Sequence, residues 1–75
     1  MRRKTNGPAI RHLREAYGIT LTDFATRAGL DKSSLSRIET GDQQPTPATV
    51  KRIAGELGVP IGVITYPVPE QDAVA

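Results

Sequence analysis

The stretch TLTDFATRAGLDKSSLSRIETG, residues 20–41, reads as two short helices joined by a tight glycine turn. Phe24, Ala25 and Ala28 recur at helical spacing and give the first segment one apolar face. Gly29 follows directly, where a helix ends easily because glycine takes a positive φ without a Cβ clash. Leu30 can plug the angle between the segments. Asp31 offers a side-chain oxygen as the cap of the second helix, whose apolar pair is Leu35 and Ile38. The other face of that helix carries Lys32, Ser33, Ser36, Arg37 and Thr40, small hydrogen-bonding groups with two cations. The pattern is a helix-turn-helix, with a second helix exposed on one side and buried on the other.

The flanking residues continue in helices. Pro8 suits the first turn of helix 1, whose stripe is Ile10, Leu13 and Tyr17, and Gly18 stops it. Arg14 lies beside that stripe, where a cation either snorkels or meets an interior carboxylate. Thr20 and Asp23 resemble a capping box at the start of helix 2, with Ile19 and Phe24 placed for a hydrophobic staple. Helix 3 runs over residues 32–40, and Asp42, Gln43, Gln44 and Pro45 form a polar loop. Thr46 caps helix 4 with Pro47 in its first position; Val50, Ile53, Ala54 and Leu57 form its stripe, closed by Gly58. Pro60 can start one more turn over residues 61–66, before Pro67 and Pro69 forbid further helix. Residues 59–66 are β-branched enough for a strand but have no evident partner in the chain. The expected organisation is a flexible basic arm over 1–7, a helical domain over 8–66, and a proline-containing, disordered tail over 67–75.

Composition narrows the class. At 75 residues the chain is one small domain, with roughly 40% of the unfolded surface still wet after folding. It has no cysteine and a single His12, so no disulfide, metal site or other cofactor is expected. No apolar run approaches the ~20 residues of a membrane span, and no signal peptide is visible, so a soluble cytoplasmic protein is expected. The net charge is +2, but residues 1–14 hold five basic side chains and no acid. Ahead of Glu70 and Asp72, ten basic residues face six acidic ones, which permits a nucleic-acid partner without requiring one. No nucleophile–base set, phosphate-cradling glycine loop or paired carboxylates appear, so no enzymatic activity and no small-molecule ligand are expected.

From Ile10 to Val59 the sequence resembles the phage repressor and Cro class of helix-turn-helix domains, the xenobiotic-response-element family. The residues that carry the resemblance are Ile10, Leu13-Arg14, Gly18-Ile19-Thr20, Phe24-Ala25 and Ala28-Gly29-Leu30. It continues through Ser34-Leu35-Ser36-Arg37-Ile38-Glu39, Gly41, Pro45-Thr46, Thr49-Val50, Ile53-Ala54 and Leu57-Gly58-Val59. The resemblance implies an all-α fold, a compact four- to five-helix bundle of the lambda-repressor-like DNA-binding type with the helix-turn-helix in helices 2 and 3. It implies a sequence-specific regulator of transcription, a repressor acting by operator occupancy. A pseudo-palindromic double-stranded operator would be read by a homodimer, at least on DNA.

In that geometry the start of helix 3 enters the major groove, which makes Lys32, Ser33, Ser36 and Arg37 the expected base contacts. Expected backbone contacts are Thr20 and Thr22 at the start of helix 2, and Thr40, Gln43, Gln44 and Thr46 around the following loop. Capping explains Thr20 and Thr22 as well, and a plain surface loop explains the others. Ser34 is read either as packing or as a phosphate contact. Relatives often carry glutamine where this chain has Leu21 or Thr22, and Leu21 cannot make such a bond. Arg14 and Glu39 match a structural ion pair between helices 1 and 3 in relatives. The arm residues Arg2, Arg3 and Lys4 either attract phosphate or are simply solvated. Ile61, Val63, Ile64, Tyr66 and Val68 either form a dimer surface or close the core. The alternative function is a protein-interaction module such as the antitoxin of a toxin–antitoxin pair, with DNA binding secondary.

Overall fold

The computed structural model describes residues 2–69. Four helices, α1 (Gly7–Ala16), α2 (Leu21–Ala28), α3 (Lys32–Thr40) and α4 (Pro47–Leu57), carry the fold. A 3₁₀ turn (Ile61–Val63) follows, and two short strands, β1 (Arg2–Thr5) and β2 (Thr65–Val68), form a small antiparallel sheet. Helices dominate, and the sheet is a minor addition at one end.

Local chemistry sets most boundaries. The Thr20 hydroxyl accepts from the Asp23 amide at 3.1 Å, and the Thr46 hydroxyl accepts from the Thr49 amide at 3.3 Å. Each satisfies an amide that the first helical turn leaves without a partner. Asp23 turns its carboxylate to Arg27 at 3.6 Å, so the capping box is one-sided. Asp31 sits at the N-cap of α3 with extended backbone, but its side chain makes no cap bond. The turn between α2 and α3 passes through Gly29 at φ 70°, a left-handed conformation that any Cβ would strain. Asn6, which the sequence placed in the arm, caps α1 by accepting from the Ala9 amide at 3.2 Å.

The core joins every helix: Ile10 from α1, Phe24, Ala25 and Ala28 from α2, Leu35 and Ile38 from α3, and Val50, Ile53, Ala54 and Leu57 from α4. Tyr17 departs from its expected place on the α1 stripe. It falls at the helix C-cap and is 54% exposed, because α1 ends one residue before it.

Residues 2–5 are a strand rather than the expected flexible arm, and they pair with Thr65–Val68, so that only the last two residues of the 59–66 run are strand while 61–63 form the 3₁₀ turn. The register pairs Arg2 with Val68, Lys4 with Tyr66 and Thr5 with Thr65. The pairing is fixed from its inner end. Ile64 is fully buried in the core, and its carbonyl accepts from the Asn6 amide at 2.8 Å. Arg3 adds a bond from Nε to the Thr65 hydroxyl at 2.8 Å and one from Nη2 to the Thr65 carbonyl at 3.1 Å. Pro67 and Val68 therefore belong to β2 rather than to a tail, and the expected tail from Glu70 onward lies outside the described residues. Ile64 leaves the expected dimer surface for the core, whereas Ile61, Val63 and Tyr66 are exposed and Val68 is half-buried.

One contact between helices leaves no room for a side chain. The start of α1 lies against the end of α3, and a Cβ on Gly7 would collide with the Ile38 carbonyl and stand 2.7 Å from the Glu39 carbonyl. Gly55, in the interior of α4, has open space around the same position. Gly7→Ala is expected to destabilise the protein by about 1–3 kcal/mol, since both obstructing atoms are backbone. Gly55→Ala should stabilise it by ~0.5–1 kcal/mol through lower unfolded-state entropy. Thermal melts of the two variants check this, and equal effects of like sign would contradict the packing.

Candidate nucleic-acid interface

The second helix of the motif, α3, is divided lengthwise. Leu35, Ile38 and Glu39 are buried, and Lys32, Ser33, Ser36, Arg37 and Thr40 are exposed. The positions 33, 36, 37 and 40 follow the 3–4 spacing of one helical face, and Lys32 lies one turn from Ser36. The structure thus brings the four expected base-contacting side chains onto one open surface. Ser34 is half-buried at the margin.

What holds that surface is an ion pair. Arg14 Nε donates to Glu39 Oε2 at 2.7 Å and Arg14 Nη2 donates to Glu39 Oε1 at 3.1 Å, with the residues 8% and 5% exposed. Arg14 Nη1 also donates to the Ile19 carbonyl at 2.8 Å, one residue before the N-cap of α2. One guanidinium therefore ties α1 to the last turn of α3 and to the entry of α2. The hydrogen bonds that Arg14 donates to Glu39 hold its pKa above the ordinary value against the opposing effect of burial, so the guanidinium stays charged.

The loop beyond α3 is ordered by its own side chains. The Thr40 hydroxyl lies 3.1 Å from both the Arg37 carbonyl and Asp42 Oδ2. The amides of Asp42 and Gln43 donate to the Arg37 carbonyl at 2.8 and 3.2 Å. Gln43 Oε1 also accepts from Arg37 Nε at 3.0 Å. Gln44 turns the other way, and its Oε1 accepts from the Thr5 amide at 3.4 Å. The loop is thereby joined to β1. Arg2, Arg3 and Lys4 line a cleft of about 420 Å³ together with Gln44, Pro45 and Pro47. The sequence did not foresee either glutamine's partner. Its only cue was a six-residue separation between Arg37 and Gln43 across Gly41.

Thr20, Thr22 and Thr46 are exposed at the ends of α2 and α4, with the Thr20 and Thr46 hydroxyls serving as caps and the Thr22 carbonyl accepting from the Thr26 hydroxyl at 3.0 Å. His12 is exposed on α1. No helix among the described residues is long and apolar enough to cross a membrane.

Two short helices set at a glycine turn, with the outer face of the second left open and polar, define a helix-turn-helix domain of the lambda-repressor-like type. The chain belongs to the helix-turn-helix family, whose model matches residues 10–64. It is 38% identical over 61 residues to the HTH-type transcriptional repressor RghR of Bacillus subtilis, covering 80% of this chain and 45% of that protein. An uncharacterized HTH-type transcriptional regulator of Mycobacterium tuberculosis is 39% identical over 62 residues, 83% of this chain and 24% of its own length. The chain thus spans less than half the length of these relatives. Among solved structures, the biofilm regulator SinR in complex with DNA superimposes with a TM-score of 0.69 at 32% identity, covering 73% of this chain and 89% of that one. The restriction-modification controller protein C.AhdI from Aeromonas hydrophila superimposes with a TM-score of 0.73 at 26% identity, over 76% and 86% of the two chains.

Removing one partner of the buried pair strands a charge, so Arg14→Ala or Glu39→Ala should cost about 3–5 kcal/mol. The joint replacement Arg14→Met with Glu39→Leu should cost less than either single change, because no uncompensated charge is left. Denaturant unfolding of the three variants checks this, and simple additivity would contradict it.

Proposed function

We propose that this domain is a sequence-specific DNA-binding regulator of transcription, acting as a repressor by occupying an operator. The observation that carries the reading is the free outer face of α3, where Lys32, Ser33, Ser36 and Arg37 are all exposed while Leu35 and Ile38 anchor the opposite side. Laid in the major groove, that face offers hydroxyls of both polarities and two long cations to the base edges. Arg37 is the candidate for a bidentate bond to guanine O6 and N7, and Lys32 reaches a neighbouring base or phosphate. The start of α2 at Thr20 and Thr22 would meet one stretch of phosphate backbone. Thr40, Gln44 and Thr46 would meet another, and Arg2 and Lys4 on β1 add positive charge beside Gln44. A relative named as a repressor and a SinR structure containing DNA support the same assignment.

A single recognition helix buries little surface, so the domain acts as a dimer on a pseudo-palindrome with half-sites roughly 34–36 Å apart. The exposed apolar side chains Ile61, Val63 and Tyr66 supply the contact. The proposed setting is the cytoplasm, on the nucleoid, and the action is binding rather than catalysis.

The test uses a duplex selected by the parent protein from a random-sequence library, compared with a shuffled duplex across a salt series. Arg37→Ala should lower the preference for the selected duplex by ~1–3 kcal/mol. Lys4→Ala should weaken both duplexes alike and reduce the salt slope by about one. If Lys32→Ala and Arg37→Ala both bind as the parent does, the recognition helix is misassigned. The doubly substituted Val63→Ser, Tyr66→Ser protein should sediment with the duplex as one protomer where the parent gives two, and an unchanged stoichiometry rules out this dimer surface.

A further inference from the structure

We propose that Gln43 is a positioning residue for Arg37, fixing how the arginine presents itself to a base; the inference rests on the reading of Arg37 as a base contact. Gln43 holds Arg37 at two points. Its amide donates to the Arg37 carbonyl at 3.2 Å, and its side-chain oxygen accepts from Arg37 Nε at 3.0 Å. A guanidinium carries only donors, so the amide oxygen of Gln43 must be the atom facing it. Engaging Nε occupies the side-on edge of the guanidinium and leaves Nη1 and Nη2, the end-on pair, available for O6 and N7 of a guanine.

The anchor is itself braced. Gln43 is half-buried, and the same Arg37 carbonyl accepts from the Asp42 amide at 2.8 Å and lies 3.1 Å from the Thr40 hydroxyl. A free arginine on a helix surface samples many rotamers, and selecting one on binding opposes association. Here the selection is made before DNA arrives. Gln43 therefore sets specificity without touching DNA, in place of the phosphate contact expected from the sequence.

The experiment measures binding of the 75-residue chain to the library-selected duplex and to its shuffled counterpart. Gln43→Met keeps the length and removes the acceptor; Gln43→Glu keeps an acceptor oxygen. Gln43→Met should lower the selected-to-shuffled preference by about threefold to tenfold, and should lower the melting temperature by no more than the few degrees that one hydrogen bond is worth. Gln43→Glu should keep the preference of the parent even though its charge weakens binding to both duplexes. In an Arg37→Ala background, Gln43→Met should change the preference no further. The proposal is overturned if Gln43→Met weakens both duplexes equally and does so again without Arg37, as a phosphate contact would. An equal loss of preference in Gln43→Glu, or a fall in melting temperature well beyond the loss of one hydrogen bond, overturns it too. If Arg37→Ala leaves the preference intact, the base-contact reading itself fails, whereas a sensitive Arg37 with an indifferent Gln43 defeats the positioning role alone.

Discussion

The bidentate pair between Arg14 and Glu39 is the constraint on which the geometry of the exposed face depends. It fixes three segments by directional bonds rather than by apolar contact: α1 through Arg14, the end of α3 through Glu39, and the entry of α2 through the Ile19 carbonyl. Hydrophobic burial is not directional, so a core of Ile10, Phe24, Leu35, Ile38 and Ile53 alone tolerates small rotations of α3 about its axis. Such a rotation would re-aim every side chain on the outer face. A fork of donors meeting both carboxylate oxygens permits little of it. The backbone approach at Gly7 acts on the same end of α3, with the carbonyls of Ile38 and Glu39 against the first turn of α1. Charge and shape together set the phase of the helix.

The outer face is then free to be chosen for chemistry. Ser33 and Ser36 have poor helix propensity and contribute nothing to the core, and Asp31 does not offset this with a cap bond. A nine-residue helix with such a composition would not persist alone. Its stability comes from Leu35 and Ile38 behind it, from Glu39, and from the αL cap at Gly41. The loop beyond it is closed by Thr40, Asp42 and Gln43 bonding back onto the helix end. Rigidity where a ligand docks limits the ordering cost of association.

Features carried by local pattern were legible in the sequence. The caps at Thr20 and Thr46, the stop at Gly29, and the stripes of α2, α3 and α4 all follow from spacing and residue type over a few positions. The Arg14–Glu39 pair was legible only through resemblance, since 25 residues separate its members. The sheet was not. Arg2–Thr5 has no apolar alternation, and nothing local marks it as a strand; it pairs because Ile64, some sixty residues on, is anchored in the core and offers its carbonyl to Asn6. Ile64 itself sat in an apolar run whose members looked equivalent, and only the 3₁₀ turn before it sends that one inward. The roles of Gln43 and Gln44 depend on which way the loop folds, which is tertiary information.

The sheet also constrains how copies of the chain can meet. Pro67 has no N–H, so its pair with Arg3 cannot exchange ladder bonds, and the bonded positions are Arg2–Val68, Lys4–Tyr66 and, continuing inward, Asn6–Ile64. Thr65 and Pro67 therefore direct their backbone groups to the outer edge of β2, where the missing donor of Pro67 breaks any further ladder. On the other edge, Gln44 already occupies the amide of Thr5, and a second β1 laid alongside would bring Arg2, Arg3 and Lys4 against their own copies. Neither edge suits strand addition. In the proposed dimer the contact then falls to side chains, and the exposed apolar ones at this end are Ile61, Val63 and Tyr66. Blocking the edges leaves the cations of β1 in solvent beside the loop after α3, on the side where the proposed DNA contact needs positive charge.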